Sequence, residues 1–307
     1  MSNEKNSFQE FVRCNLCHAD DYDVLFEAGV AQIARIVRCR HCSLMYANPR
    51  AQLADHANYE RHDPIGLLAG VTEDRGHPYR WRFEKESLQV RDYEDSLGRL
   101  AALHPARGHV VEVGSSLGYL LKRFQEDGWT VQGIDPWAEV CAHTRDVHGF
   151  ETTPTTLEGA ALPDASADVV IMLHVIEHVP DPLASLREVR RVLKPGGHVV
   201  IETPRYDTVM FKLMGKRERS LRQDGHIYFF TSGTLRECLR EAGFGEVEMR
   251  YTGRSLTADR LMWNLGNATR SETLRDAIDR TSKALGFQNI RLTLNLRDMM
   301  RAIIARD

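Results

Sequence analysis

Three groups of residues in this 307-residue chain have types and spacings that could do chemistry. The first is Glu112-Val113-Gly114-Ser115-Ser116-Leu117-Gly118, an acid followed by two glycines. Glycine lets a backbone turn tightly and come close to a ligand, and the start of a following helix offers free N–H groups. A dinucleotide fingerprint would read G-x-G-x-x-G and seat a pyrophosphate. Ser116 breaks that spacing, and Glu112 would sit badly beside phosphates, so the loop suits a cationic ligand. The second group is His174, His178 and His226. Histidine is the natural base near neutral pH for a hydroxyl that must lose its proton, although each of the three also reads as a structural hydrogen bonder. Glu177 next to His178 adds a donor pair that a second, divalent metal could use. The third group is Cys14/Cys17 and, after 21 residues, Cys39/Cys42. Each C-x-x-C turn aims two thiolates at one ion, and two turns complete a tetrahedral zinc site. In a chain with no export signal, paired cysteines read as metal ligands before disulfides. Four thiolates leave no open coordination position, so this zinc is expected to be structural, adding folding energy to a segment too small for its own core.

Strands and helices must hold these groups in place. His109–Val113 is a short apolar strand, and Leu117–Asp127 has helical spacing that stops at Gly128. Trp129–Ile134 is a second strand ending at Asp135, followed by a helix, Trp137–His148, closed by Gly149. Asp168–Leu173 is a continuous apolar run, as a strand covered on both faces should be. Pro182–Leu193 reads as a helix stopped by Pro195-Gly196-Gly197, and His198–Glu202 as another strand. Thr231–Ala242 reads as a helix capped by Thr231 or Ser232. Such alternation predicts a parallel, doubly wound α/β sheet. Four zones follow. Residues 1–50 form a zinc-ribbon-like module with a strand over Ile33–Val37. Residues 51–105 form a linker whose end, Trp81–His104, is helical. Residues 106–250 form the α/β domain, and 251–307 a basic, helical C-terminal extension. Within the extension the spacing predicts helices over Leu256–Leu265, Ser271–Leu285 and Leu296–Ala305. Cys141 and Cys238 stand alone in helical segments and read as core. No internal repeat is visible.

Glu112-x-Gly114-x-x-x-Gly118, Asp135, Leu157-Glu158, His174-Val175-Ile176-Glu177-His178-Val179 and Leu193-Lys194-Pro195-Gly196-Gly197, taken in order, resemble the motifs of class I S-adenosylmethionine-dependent methyltransferases. The match runs from about Arg107 to Gly243, with Ala167 standing where that family often has a bulky aromatic residue. The resemblance implies a Rossmann-like, mostly parallel seven-stranded sheet. It implies that Glu112, Gly114, Ser115 and Gly118 border the methionine part of the cofactor and that Asp135, with Pro136 beside it, holds the ribose. Leu157 and Glu158 would flank the adenine, and His174 would border the cofactor at the fourth strand's end. Asp224-Gly225-His226-Ile227-Tyr228-Phe229-Phe230-Thr231 resembles the segment after the fifth strand in the same group, which would turn His226 toward the substrate. Residues Ala34–Pro49 resemble the zinc-binding N-terminal module fused to many bacterial methyltransferases, sugar methyltransferases among them.

The expected reaction is methyl transfer to a hydroxyl of a small molecule or sugar, with a histidine as general base. Transfer to nitrogen or carbon of a nucleotide-sugar or secondary metabolite is the alternative within enzymes. A net charge of −3 argues against a broadly basic nucleic-acid binder, the reading from another class in which the zinc ribbon and the basic C-terminal zone make the contacts. No run of about 18 apolar residues marks a membrane span. The polar start, Met1-Ser2-Asn3-Glu4-Lys5-Asn6, lacks a signal-peptide core, so the cytoplasm is the expected compartment. A homo-oligomer is compatible with the sequence, and no motif demands one.

Overall fold

The computed structural model describes residues 9–28, 35–51, 90–218, 221, 225–259, 261–262 and 272–307. Its strands are β1 (Gln9–Glu10), β2 (Tyr22–Phe26), β3 (Ile36–Cys39), β4 (Met45–Ala47), β5 (Arg50–Ala51), β6 (His109–Val113), β7 (Thr130–Asp135), β8 (Thr152–Pro154), β9 (Ala167–Leu173), β10 (Leu193–Pro204), β11 (Tyr228–Phe229), β12 (Met249–Thr257) and β13 (Arg291–Ala305). Its α-helices are α1 (Glu94–Leu103), α2 (Tyr119–Glu126), α3 (Ala138–His148), α4 (Pro182–Val192), α5 (Val209–Met214), α6 (Ser232–Glu241) and α7 (Glu272–Ala284).

The main sheet has seven strands in the order β12-β13-β10-β9-β6-β7-β8. The five strands from β10 to β8 are parallel, and β13 and β12 are antiparallel additions. The doubly wound α/β expectation is therefore met. Alternate residues of the central strands serve different layers, as period-2 side chains must. Val111, Val170, Met172, Val199 and Ile201 pack with Leu186 and Val189 of α4 and Leu235 and Leu239 of α6. Val110, Val169, Ile171 and Val200 pack with Leu97 and Leu100 of α1 and Leu121 and Phe124 of α2. Truncating one such residue, Leu186→Ala for example, costs about 2–5 kcal/mol. The chain winds from β6 through β7 to β8 on one side and then crosses back to β9 on the other side of β6. That reversal puts the switch point between β6 and β9, where open α/β sheets bind ligands at the strands' carboxyl ends.

The cysteine module folds as β2, β3 and β4 in an antiparallel sheet. Its fourth strand is β11, from the segment after His226. Cys14, Leu16, Val37, Leu44 and Tyr46 share one core with α4 and α6, so the module is packed into the same face of the main sheet.

The C-terminal zone departs from its sequence reading. The helix expected over Ser271–Leu285 is present as α7. Leu296–Ala305 is a strand, not a helix: it forms most of β13, which pairs with β10 from His198↔Ala305 to Pro204↔Met299. Met, Leu, Ala and Arg favour helix locally, but here pairing and burial override propensity. Met299, Met300, Arg301 and Ala302 are all buried in succession, the pattern of a strand covered on both sides. Leu256 and Thr257 likewise end β12. Residues 258–259 and 261–262 are helical, while 260 and 263–265 lie outside the described residues. So do 81–89 of the expected Trp81–His104 helix, whose remainder holds α1, and 33–34 of the expected N-terminal strand. Cys141 and Cys238 are buried, as expected. Among the described residues no helix is long and apolar enough to cross a membrane.

Candidate active site

The crevice forms where the strands end. Parallel register aligns Val113 of β6 with Ile134 of β7 and Met172 of β9. The loops after these strands therefore emerge side by side. Gly114 and Gly118 adopt φ of +70° and +74°, the left-handed region that glycine enters without penalty. The N–H groups of Gly114 and Ser115 donate to the Ile134 carbonyl at 2.7 and 3.2 Å. Asp135 accepts from Ser116 N at 2.9 Å through Oδ2 and from Trp137 N at 3.1 Å through Oδ1. This carboxylate thus ties the β6 loop to the β7 loop.

Glu112, Ser115 and Asp135 are buried around this turn. Ser115 Oγ is a buried hydroxyl with no hydrogen-bond partner among the described residues. A Cβ built on Gly114 would lie 2.6 Å from Val175 Cγ2, so the glycine loop runs directly against the segment that follows β9. Buried acids, an orphaned hydroxyl and a bare glycine backbone at the switch point fit a ligand carrying a cation and hydroxyl groups. Leu157 is buried beside this region, in the core shared with Val113 and Ile134. Pro136 is exposed on the β7 turn. Glu158 is exposed, and its Oε1 accepts from Ser185 Oγ at 2.5 Å, which draws it toward α4.

The second wall carries the histidines. His174 has φ of +57°, a conformation that costs a non-glycine residue about 1–2 kcal/mol. Its N–H donates to Glu202 O at 2.8 Å. Its ring lies between two buried carboxylates, Nδ1 3.5 Å from Glu177 Oε1 and Nε2 3.4 Å from Glu202 Oε1. Burial opposes charge on His174, but these two acids outweigh it and raise its pKa. Burial would likewise raise Glu177 and Glu202. Hydrogen bonding from His174, with neighbouring charges, instead brings each to about 2. Arg301 of β13 pairs with Glu202 Oε2 at 2.7 Å, Tyr93 donates to its Oε1 at 3.1 Å, and Thr203 Oγ1 donates to Glu177 Oε2 at 2.9 Å.

His226 is buried, with Nε2 4.0 Å from Glu177 Oε1. Its ring meets that of His178 edge-on, 4.6 Å between centroids. Donor atoms of Glu177, His178 and His226 all lie within 4.8 Å of one another, a set that could also hold a divalent ion. The fold thus gathers all three predicted histidines around Glu177. The sequence reading missed Glu202, Arg301 and Tyr93. The first ends an apolar strand and the second lies in a segment read as helix, so only the pairing of β10 with β13 brings them together.

The four cysteines converge as expected. Cys14 Sγ lies 3.3 Å from Cys42 Sγ, and Cys17 Sγ 3.4 Å from Cys39 Sγ. All four sulfurs lie within 4.8 Å of one another. Tetrahedral zinc with Zn–S bonds of about 2.3 Å needs S···S edges of about 3.8 Å, so the quartet fits that ion. The two knuckles also repeat each other. His18 N returns to Cys14 O and Ser43 N to Cys39 O, at 2.8 and 3.0 Å. His18 and Ser43 both have positive φ. That likeness lies in the backbone and leaves no sequence repeat to find. A hydrogen bond from Cys42 brings Cys14 down to about 5, and the same bond pushes Cys42 up.

Comparison with known proteins finds relatives among methyltransferases. The family described as "Methyltransferase domain" matches residues 81–248, more than half of the chain. A ubiquinone biosynthesis O-methyltransferase of Vibrio parahaemolyticus is 37% identical over 142 residues, covering 40% of this chain and 60% of the relative. Its counterpart from Vibrio vulnificus is 36% identical over 101 residues, covering 31% and 43% respectively. The chain therefore spans roughly half the length of the curated relatives it matches. Among solved structures, a SAM-dependent methyltransferase from Archaeoglobus fulgidus aligns over 73% of this chain and 99% of its own, at 19% identity and a TM-score of 0.49.

Proposed function

Because this chain belongs to the methyltransferase-domain family, we propose that it transfers a methyl group from S-adenosylmethionine to a hydroxyl of a small molecule or sugar. The observation that carries this reading is the juxtaposition at the switch point. The Gly114 turn, lined by buried Glu112 and Asp135, touches Val175, the residue after His174. Cofactor and acceptor sites would then share one wall.

Glu112, Gly114, Ser115 and Gly118 would hold the methionine part, Asp135 and Pro136 the ribose side, and Leu157 the adenine. Glu158 would need to leave Ser185 to reach the adenine amino group. His174 would border the cofactor. When bound, the cofactor supplies an electrophilic methyl on a sulfonium. The chain's own task is to align the acceptor with that methyl, exclude water and take the acceptor's proton. Of the three candidate bases, His174 is the poorest, because Glu177 and Glu202 favour its charged form. His226 is the better one: it is buried beside Glu177, which can stabilise its imidazolium after proton uptake. His178, edge-on to His226, is next in line. The relatives' naming as O-methyltransferases supports oxygen as the accepting atom.

Cys14, Cys17, Cys39 and Cys42 would hold one structural zinc. Cysteines used as metal ligands suit a reducing cytoplasm. The test is transfer of labelled methyl from S-adenosylmethionine to a panel of phenols, catechols and sugars. O-methylated product from the wild type, and about 10²–10⁴-fold less from His226→Gln, is expected. Labelling of nitrogen or carbon alone would overturn the hydroxyl assignment.

A further inference from the structure

Among the described residues, hydrogen bonds tie the cysteine module to the proposed acceptor wall at three places, each through residues outside the quartet. Asn15 lies inside the first knuckle, between Cys14 and Cys17. Its Nδ2 donates to Asp181 Oδ1 at 2.8 Å, and its Oδ1 accepts from Leu183 N at 3.2 Å. Asp181 is the N-cap of α4 and accepts from Ala184 N at 2.9 Å. The opening amides of a helix have no partner within it. At α4 two of them are satisfied jointly, one by the helix's own cap and one by the knuckle.

The second contact is Arg50. Its side chain is largely buried, and Nη1 donates to Pro180 O at 2.6 Å and to Tyr228 Oη at 3.1 Å. Tyr228 in turn donates to Pro180 O at 3.1 Å. The third is β-sheet pairing. β11 joins β4 with Tyr228↔Tyr46 and Phe229↔Met45, and Ala47 N donates to Ile227 O at 2.9 Å. Ile227 N and Tyr228 N both donate to Glu177 O, at 2.9 and 3.1 Å. Residues 177–183 and 226–229 are thus held between the module on one side and each other on the other.

The amides of Gly114, Ser115 and Gly118 bond instead within the β6 and β7 loops, to Ile134 O and Ser115 O. We propose that Asn15 and Arg50 are positioning residues, through which the four-cysteine module sets the 177–181 loop and His226 more strongly than the glycine turn, whose amides bond within their own loops. Occupancy of the cysteine quartet then acts first on the acceptor side. The link to catalysis rests on the reading of His226 as the base; the mechanical coupling does not.

The test is amide hydrogen exchange on the full, zinc-loaded chain, comparing wild type with Asn15→Ala and Arg50→Met. Both variants keep every cysteine, and zinc content is measured to show that it is retained. Exchange over 178–184 is expected to speed up about tenfold or more in Asn15→Ala, and over 226–229 in Arg50→Met. Exchange over 109–118 should stay within about twofold of wild type, as should the calorimetric Kd for S-adenosylmethionine. Chelating the wild type should accelerate both acceptor segments together. Unchanged exchange over both acceptor segments in both variants would overturn the coupling. Equal acceleration everywhere would also overturn it, because that is ordinary destabilisation. If the wild type binds no S-adenosylmethionine, the methyltransferase reading fails, while the exchange data still decide the coupling.

Discussion

The glycine turn after β6 is held by the strands beside it, whereas His226 is held by a strand pairing with the N-terminal module and by a carboxylate at the end of β9's loop. On the proposed cofactor side the partners are close in sequence, and Asp135 stitches two consecutive strand–helix turns together. On the proposed acceptor side Glu202, Arg301, Glu177 and His226 come from β10, β13, the β9 loop and the segment before β11. A binding loop for a shared cofactor can be built locally. An acceptor wall assembled from distant segments can change one part without disturbing the other.

The strongest way to break this contrast is His226→Gln. In the proposed reaction kcat falls about 10²–10⁴-fold, while the Kd for S-adenosylmethionine changes less than about twofold, since the cofactor turn lies elsewhere. A matching rise in that Kd would mean that the two walls are not separate. Next is Arg301→Met, which leaves buried Glu202 with His174 as its remaining cationic partner. Removing one partner of a buried pair costs about 3–5 kcal/mol, and urea denaturation should show that loss. A variant as stable as wild type would remove the network from the list of what holds the acceptor side.

Gly114→Ala probes the opposite wall. Alanine leaves the left-handed φ in the free protein, saving about 1–2 kcal/mol that must be returned on binding, equivalent to a five- to thirtyfold weaker cofactor. The new Cβ also meets Val175. Calorimetry on Gly114→Ala, alone and with Val175→Ala, should show partial recovery in the double variant. No recovery would mean that the two loops do not touch.

The smallest effect is on the pH dependence of stability. The raised pKa of His174 means that its contribution is complete below its unfolded value of about 6.5. That contribution is lost as pH climbs through the higher folded value. Glu177 and Glu202 act in the opposite window: their contribution is present above the ordinary carboxylate range and lost as pH falls toward about 2. Urea midpoints across the alkaline limb should fall in wild type and flatten in His174→Gln. The same slope in both would assign it to another group.

Legibility in the sequence follows the same division. Strand–turn–helix units such as His109–Glu126 announce themselves through apolar runs, glycine stops and an acid before the turn. Asp135 and the cysteine pairs were readable because spacing alone identifies them. β13 was not: Met299-Met300-Arg301-Ala302 reads as helix by propensity, and only an available edge on β10 makes it a strand. Glu202 and Arg301 were hidden for that reason, each without meaning until the other is placed. Asn15 and Arg50 gave no signal, because a polar residue in a knuckle or after a proline has many ordinary uses.

The central claim is that the turn from Glu112 to Gly118, with Asp135, binds S-adenosylmethionine. Isothermal calorimetry of the zinc-loaded wild type and Asp135→Ala tests it most directly. Binding by the wild type, weakened about tenfold or more in the variant (about 1.4 kcal/mol), is the predicted result. No binding by the wild type, or equal binding by both, would contradict it.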